Sequence, residues 1–315
     1  MVVRMSSPAP DVLIRPLRES ELAEASLICR VAFGTFIGIP EPRNWALGRD
    51  YVAPRWRAAP EAVFAAELNG ELAGTNFATR WGSFAFFGPL TIRPELWNRG
   101  IAQKLLAPTV DLFDSWGVKD AGLFTFAQSA KHIALYQKFG FWPRFLTALM
   151  SKSVTPVSAS YRTFSALDQA GQSTALAFCR EIAGAILDGL DLSPEIVSVE
   201  RQSLGDTVIL DDAFAVCHCG PETEAGPGAC YVKFAAARPG PHVQETFDRL
   251  LDACESLAAA RGLERIEAGI NLARGDAYRA MLRAGYRTQA QGVAMHRHDH
   301  PAHNRPDVFA IDDWR

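Results

Sequence analysis

Residues 89–106 read Pro-Leu-Thr-Ile-Arg-Pro-Glu-Leu-Trp-Asn-Arg-Gly-Ile-Ala-Gln-Lys-Leu-Leu, a strand, a short polar loop and the start of a helix. Leu90 and Ile92 alternate with Thr91 and Arg93, the period of a strand. Pro94 has no N–H to give and ends the ladder. Ile101, Leu105, Leu106 and Thr109 then recur at helical spacing. A helix start carries free N–H groups and the positive end of the dipole, so it suits an anion. Gly100 and Ala102 keep side-chain bulk away from that start, and Arg99 and Lys104 add positive charge. A pyrophosphate fits this description. An ordinary strand–helix connection containing a glycine fits it too, because short glycine motifs are weak evidence alone.

The flanking segments narrow the choice. Val12–Pro16 reads as a first strand, and Ser20 with Glu21 and Glu24 as a helix start. Residues 34–57 interleave Phe36, Trp45, Tyr51 and Trp56 with Arg43, Arg49, Arg55 and Arg57, which predicts a loop with a short helix, large enough to wall a pocket. Asn69-Gly70 between 62–68 and 71–81 predicts a tight hairpin. Residues 84–92 are expected as one strand, 100–116 as a helix stopped by Gly117, and 121–126 as a buried strand. Ser129 then caps a helix bearing Ile133, Tyr136 and Phe139; Gly140 ends it, and Phe141-Trp142 opens another strand.

Together the two stretches resemble the GNAT family of acyl-CoA-dependent N-acetyltransferases. The family's Arg/Gln-x-x-Gly-x-Gly/Ala loop corresponds to Trp97-Asn98-Arg99-Gly100-Ile101-Ala102, and its Tyr four residues before Gly-Phe to Tyr136 before Gly140-Phe141. Trp97 departs from the family's Arg or Gln. The resemblance implies acetyl-CoA as co-substrate. The pantetheine arm would lie along Leu90, Thr91 and Ile92, in a splay between that strand and the next. The pyrophosphate would lie at Trp97, Asn98, Arg99, Gly100, Ile101, Ala102, Gln103 and Lys104, with Ser129 and His132 flanking the cofactor from the later helix. A backbone N–H near Ile92 would polarise the thioester carbonyl. Tyr136 would either protonate the departing thiolate or only pack on the cofactor; its spacing to Gly140 favours the acid. Glu67, His132, Asp50 and bulk water all remain open as the base.

The chain repeats at an offset of 145 residues. Arg93-Pro94 matches Arg238-Pro239, Leu105-Leu106 matches Leu250-Leu251, and Gly140-Phe141 matches Gly285-Tyr286, without a gap. In the second copy Gly100 becomes Glu245, Ala102 becomes Phe247 and Tyr136 becomes Met281. The fold class expected is therefore α+β, two tandem GNAT-like folds, each a mostly antiparallel mixed sheet flanked by helices. Residues 11–154 would form the acyl-CoA-binding domain. Residues 160–315 would form a degenerate domain that covers the first or lends a wall to the acceptor site. A small, proline-containing linker separates them, and the last segment packs back through Val308, Phe309, Ile311 and Trp314.

Composition sets the remaining bounds. The 315 residues are 48% hydrophobic and 21% charged, with a net charge of −3 and no basic block, so nucleic acid gets no electrostatic support as a partner. No apolar run is long enough to span a bilayer, and residues 1–10 lack a signal-peptide core, so a frayed leader and a cytoplasmic location are expected. No metal is expected. Cys217-His218-Cys219 has only one residue between its thiols, and His296, His298, His300 and His303 read as a solvated tail. The function these readings support is acetyl transfer to a small-molecule amine, by a monomer or homodimer. The alternative is a CoA-binding sensor or interaction protein without catalysis.

Overall fold

A computed structural model describes residues 12–315; the expected leader lies outside them. In the front half, β1 (Val12–Pro16) is followed by α1 (Leu22–Phe36), α2 (Ala53–Ala58), β2 (Val63–Leu68) and β3 (Glu71–Trp81). Asn69 and Gly70 both take positive φ, 54° and 82°, as the hairpin requires. Ser20 does not cap α1. A 3₁₀ turn, Glu19–Glu21, precedes the helix, and the Arg18 N–H donates to the Glu21 carboxylate at 2.9 Å. Arg15 holds that same carboxylate, which is the stronger acceptor.

The strand expected over 84–92 is two strands, β4 (Phe84–Phe87) and β5 (Thr91–Ile92). Gly88 has a φ of 148° and Pro89 has no N–H, so the ladder cannot run through them. Then come α3 (Ile101–Ser115), β6 (Asp120–Thr125), α4 (Ala130–Gln137) and β7 (Trp142–Ser153). Gly100, Gly117 and Gly140 stand at the helix ends, all with positive φ. The rear half follows with β8 (Arg162–Thr163), α5 (Gln169–Ile186), α6 (Ser193–Arg201), β9 (Gly205–Ile209), β10 (Ala213–Gly220) and β11 (Gly226–Ala237). It closes with α7 (Val243–Ala260), β12 (Arg265–Asn271), α8 (Gly275–Arg283), β13 (Arg287–Arg297) and β14 (Ala310–Ile311).

The fourteen strands of the described residues join one mixed sheet, in the order β1-β2-β3-β4-β6-β13-β7-β12-β11-β10-β9-β8, with β5 on β3 and β14 on β11. The 145-residue offset is preserved in the register. Phe84 sits opposite Asp120 in the parallel β4–β6 pair, and Ala229 opposite Arg265 in the parallel β11–β12 pair. The offset also relates β7 to β13, and these two pair with each other while exchanging sides. β7 runs along β12, with Ile270 opposite Ala148; β13 runs along β6, with Val293 opposite Thr125. The seam between the halves is thus hydrogen-bonded sheet with side chains packed on both faces. On one face of the rear sheet α7 and α8 bury Phe247, Leu250, Cys254 and Met281; on the other, α5 and α6 bury Ile182, Ile186, Ile196 and Val199.

The histidine segment is a solvated tail only in part: His298 and His300 are exposed, but the other two are not. His296 and His303 are almost fully buried, His303 Nε2 pairs with Asp312 at 2.7 Å, and Asn304 Nδ2 meets His296 Nε2 at 3.0 Å. Arg274, fully buried, donates to Asn304, to Asp312 and to the Ala310 carbonyl. His296, His303, Asn304 and Asp312 are polar because they fasten the last segment to the core. Burial, with nearby His303 and Arg144, lowers the His296 pKa to about 3. The unfolded chain binds a proton there near pH 6.5 while the folded chain does not, so stability is lost as pH falls from about 6.5 toward 3. The slope from one such group is at most about 1.4 kcal/mol per pH unit. Urea unfolding at pH 7 and pH 5 should show this loss, and His296→Gln should reduce it by about 1–2 kcal/mol. An acid loss unchanged in the variant would contradict the assignment.

Candidate functional site

The break between β4 and β5 opens the sheet. β4 pairs with β6 as far as Phe86 opposite Gly122, whereas β5 pairs only with β3. Arg93 donates its N–H to Ala73 on β3 at 2.9 Å, so by alternation the Thr91 N–H faces β3 and the Ile92 N–H faces the open edge. The Ile92 carbonyl on that edge accepts from Trp97 Nε1 at 2.9 Å. Thr91 is buried, its hydroxyl 3.3 Å from that of Thr75.

Beyond the slot lies the start of α3. Gly100 takes φ 77°, no side chain caps the helix, and a Cβ added at Gly100 would meet nothing within 4 Å. The uncapped N–H groups of the first turn therefore face open space, which suits a pyrophosphate. Asn98, at φ 65°, accepts from Lys131 Nζ at 2.6 Å, tying this loop to α4. A cavity of about 580 Å³ gathers Leu90, Thr91, Ile92, Trp97, Asn98, Arg99, Gly100, Ile101, Ala102, Gln103, His132 and Tyr136. It does not gather Lys104, which points to solvent one turn into α3, or Ser129, whose hydroxyl accepts the His132 N–H as the cap of α4.

A second cavity, of about 570 Å³, lies on the other side of the slot. Phe33, Leu90, Phe126, His132 and Tyr136 line both cavities and form the neck between them. Burial pushes the Tyr136 hydroxyl up to about 12, partly offset by Thr125, so it keeps its proton through the neutral range. Burial first, and Lys131 second, lower the His132 pKa, so its imidazole is neutral at pH 7. His132 Nδ1 is buried without a hydrogen-bond partner, and its ring lies 4.8 Å from that of Phe36. Glu67 is held at 2.7 Å by Arg15, and Asp50 accepts from the N–H groups of Val52 and Ala53; neither lines the cavities.

Residues 31–141 match the family model for the acetyltransferase (GNAT) family. A solved structure from Pyrococcus horikoshii, provisionally described as an acetyltransferase, aligns over 100% of this chain and 98% of its own, at 13% identity and a TM-score of 0.70. A GCN5-related N-acetyltransferase from Sphaerobacter thermophilus aligns over 91% of this chain and 95% of its own, at 16% identity and a TM-score of 0.58. One from Kribbella flavida aligns over 91% and 71%, at 12% identity and a TM-score of 0.52. No curated protein matches the chain. The fold is the GNAT fold.

Within this GNAT fold the rear half fills its own slot. By the offset, Ala237 is the counterpart of Ile92, and its N–H donates to the Phe309 carbonyl at 3.0 Å. β14 pairs Ala235 with Ile311 and Ala236 with Ala310, beside the counterparts of Leu90 and Thr91. Phe247 is fully buried against Phe309, as its bulk suggests, and Glu245, exposed beside His242, sets a carboxylate at the rear helix start. The last segment, rather than that carboxylate, occupies the slot. Among the described residues no group of side chains suits a metal, and no helix is long and apolar enough to cross a membrane.

The sequence placed Arg55 in a stretch expected to wall a pocket and offered the rear half as a wall to the acceptor site, but gave neither the role of Arg55 nor the rear-half residues involved. Arg55, almost fully buried, donates to the Gly88 carbonyl at the strand break and forks onto Glu224 at 2.9 Å. Arg49, Glu267, Trp314 and Arg315 line the second cavity. Arg49 and Arg55 stood in the aromatic–arginine stretch; the others carried no local signal, because only the strand exchange brings them here. If the Gly100 cradle is where phosphates bind, Gly100→Glu strains a positive φ and projects an acid into the open space. Calorimetry should then show CoA affinity down at least tenfold with the melting temperature changed by a few degrees at most. Unchanged affinity would exclude this loop.

Proposed function

We propose that the chain is an acyl-CoA-dependent N-acetyltransferase whose single active site lies in the front half and takes a small-molecule amine. The observation that carries this reading is the strand break at Gly88-Pro89, which joins an open N–H edge at Ile92 to two cavities meeting at Tyr136 and His132. The family match over 31–141 supports it. In this reading residues 11–154 form the catalytic domain and 160–315 a degenerate GNAT-like domain, interlocked by the exchange of β7 and β13.

The residues divide the work as follows. The pantetheine arm of acetyl-CoA lies against Leu90–Ile92, and the N–H groups of the Asn98–Gln103 turn take the pyrophosphate, with Trp97 and Arg99 beside it. The Ile92 N–H donates to the thioester oxygen, which gains negative charge as the amine attacks. The neutral amine's lone pair forms the C–N bond, the C–S bond breaks, and the electron pair leaves on sulfur. Tyr136 gives its proton to that sulfur. His132, neutral and with Nδ1 unpaired, takes the proton that the new amide nitrogen sheds. Lys104 acts only through its charge, and Ser129 only by capping the helix that carries both groups.

Tyr136→Phe should lower kcat by 10²-fold or more while CoA affinity, read by calorimetry, changes less than threefold. A protein that binds CoA without acyl transfer would show no turnover above background in either form, and that result would replace catalysis with sensing. The acid limb of kcat at saturating acceptor should fall below the ordinary imidazole value, because burial lowers His132, and should vanish in His132→Gln. A limb that persists in the variant would remove His132 as the base.

A further inference from the structure

The second cavity carries more information than its size. Its neck is apolar and aromatic, formed by Phe33, Leu90, Phe126 and Tyr136 with a neutral His132. Its remaining wall, away from the neck, comes from both halves of the chain and holds the charge: Arg49 from the front half, Glu267 and Arg315 from the rear. Glu267 is already engaged. Arg49 forks onto it at 2.7 and 3.0 Å, and Arg265 reaches it at 2.8 Å. Arg315 lies 3.9 Å from Glu267 and 2.9 Å from Asp313, with its guanidinium 4.4 Å above the Tyr231 ring. Asp313 also accepts from the Tyr231 hydroxyl at 2.7 Å, and burial raises its pKa. On the cavity wall two guanidiniums, Arg49 and Arg315, thus face one carboxylate, Glu267, while Asp313, off the lining, is reluctant to ionise. The excess charge is positive, it is partly shielded from solvent, and Trp45, Tyr51 and Trp314 flank the space before it.

We infer that the acceptor is a flat or aromatic amine bearing an acidic group, whose amine reaches the Tyr136–His132 neck while its carboxylate or phosphate is held by Arg49 and Arg315. An anion placed there completes the ion pairing that Glu267 and Asp313 leave short, and guanidiniums suit oxyanions in forked geometry. A cationic group would instead displace Arg49 from Glu267. This rests on the acyl-transfer reading of the same site, and it gives the rear half a direct part in substrate selection.

Binding to the full chain saturated with CoA separates the two. Calorimetry should compare 4-(aminomethyl)benzoate, 4-(aminomethyl)phenylphosphonate, 4-methylbenzylamine and the dication p-xylylenediamine, with phenylalanine against 2-phenylethylamine as a second spacing. The acidic member of at least one set should bind tenfold or more tightly than its neutral partner, and the better of the two acids identifies carboxylate or phosphate. Arg315→Gln should weaken the acid at least fivefold and leave the neutral amine within twofold. Glu267→Gln should tighten the acid, an opposite sign that damage to the fold would not produce. Equal binding of acid and neutral amines, preference for the dication, or a Glu267→Gln variant that weakens the acid would overturn the inference. Failure of CoA itself to bind would instead sink the acyl-transfer reading, leaving the amine preferences to be read alone.

Discussion

The rest of the structure depends on one strand letting go of its neighbour. β4 pairs with β6 for three residues and then turns away at Gly88, so that β5 keeps only β3. A sheet interior cannot leave backbone groups unpaired without cost, so the break must be held open and its free edge must have a use. Arg55 supplies the hold. It donates to the Gly88 carbonyl and is locked by Glu224, which Lys233 also approaches. Burial alone would raise Glu224; the two cations instead hold it well below the usual carboxylate range, Arg55 first. Removing one partner of such a buried pair costs about 3–5 kcal/mol, so this is a rigid support rather than an adjustable one.

The support reaches across the molecule because the halves are interlocked. Arg55 comes from α2 in the front half, Glu224 from the turn between β10 and β11 and Lys233 from β11, and the exchange of β7 and β13 joins the two halves in one sheet. The same exchange brings Glu267 on β12 against Arg49. The two halves, related by the 145-residue offset, differ at their slots. One slot stays open beside a bare helix start. The other is closed by a strand of the chain's own, with a Phe309 carbonyl on the N–H that corresponds to Ile92. The Phe247 ring, part of the rear core, also packs edge-on against Phe309 and helps to hold that closure.

Much of this was legible in the residues. Gly100, Ala102, Tyr136 and Gly140 mark the loop and the later helix through backbone needs that local sequence expresses directly. The 145-residue offset was readable because core positions repeat, and the strand registers of the two halves follow it. What the sequence hid was relational. Residues 84–92 have strand composition throughout, so only Gly88-Pro89 hinted at the break. His296 and His303 looked solvated because the polar cluster that buries them is organised by Arg274, elsewhere in the chain. Ser20 lost its capping place to Glu21 because Arg15, from the preceding strand, fixed that carboxylate first. Glu245 was visible at the rear helix start, but the segment that fills the rear slot comes from much further along the chain.

The most direct test is a crystal structure of the protein with coenzyme A. The account predicts one molecule per chain, its pantetheine arm along Thr91–Ile92, an amide or carbonyl oxygen on the Ile92 N–H, and its phosphates at the turn before Ile101. Coenzyme lodged beside Ala235–Ala237 with residues 309–311 displaced, or coenzyme bound away from both slots, would contradict it.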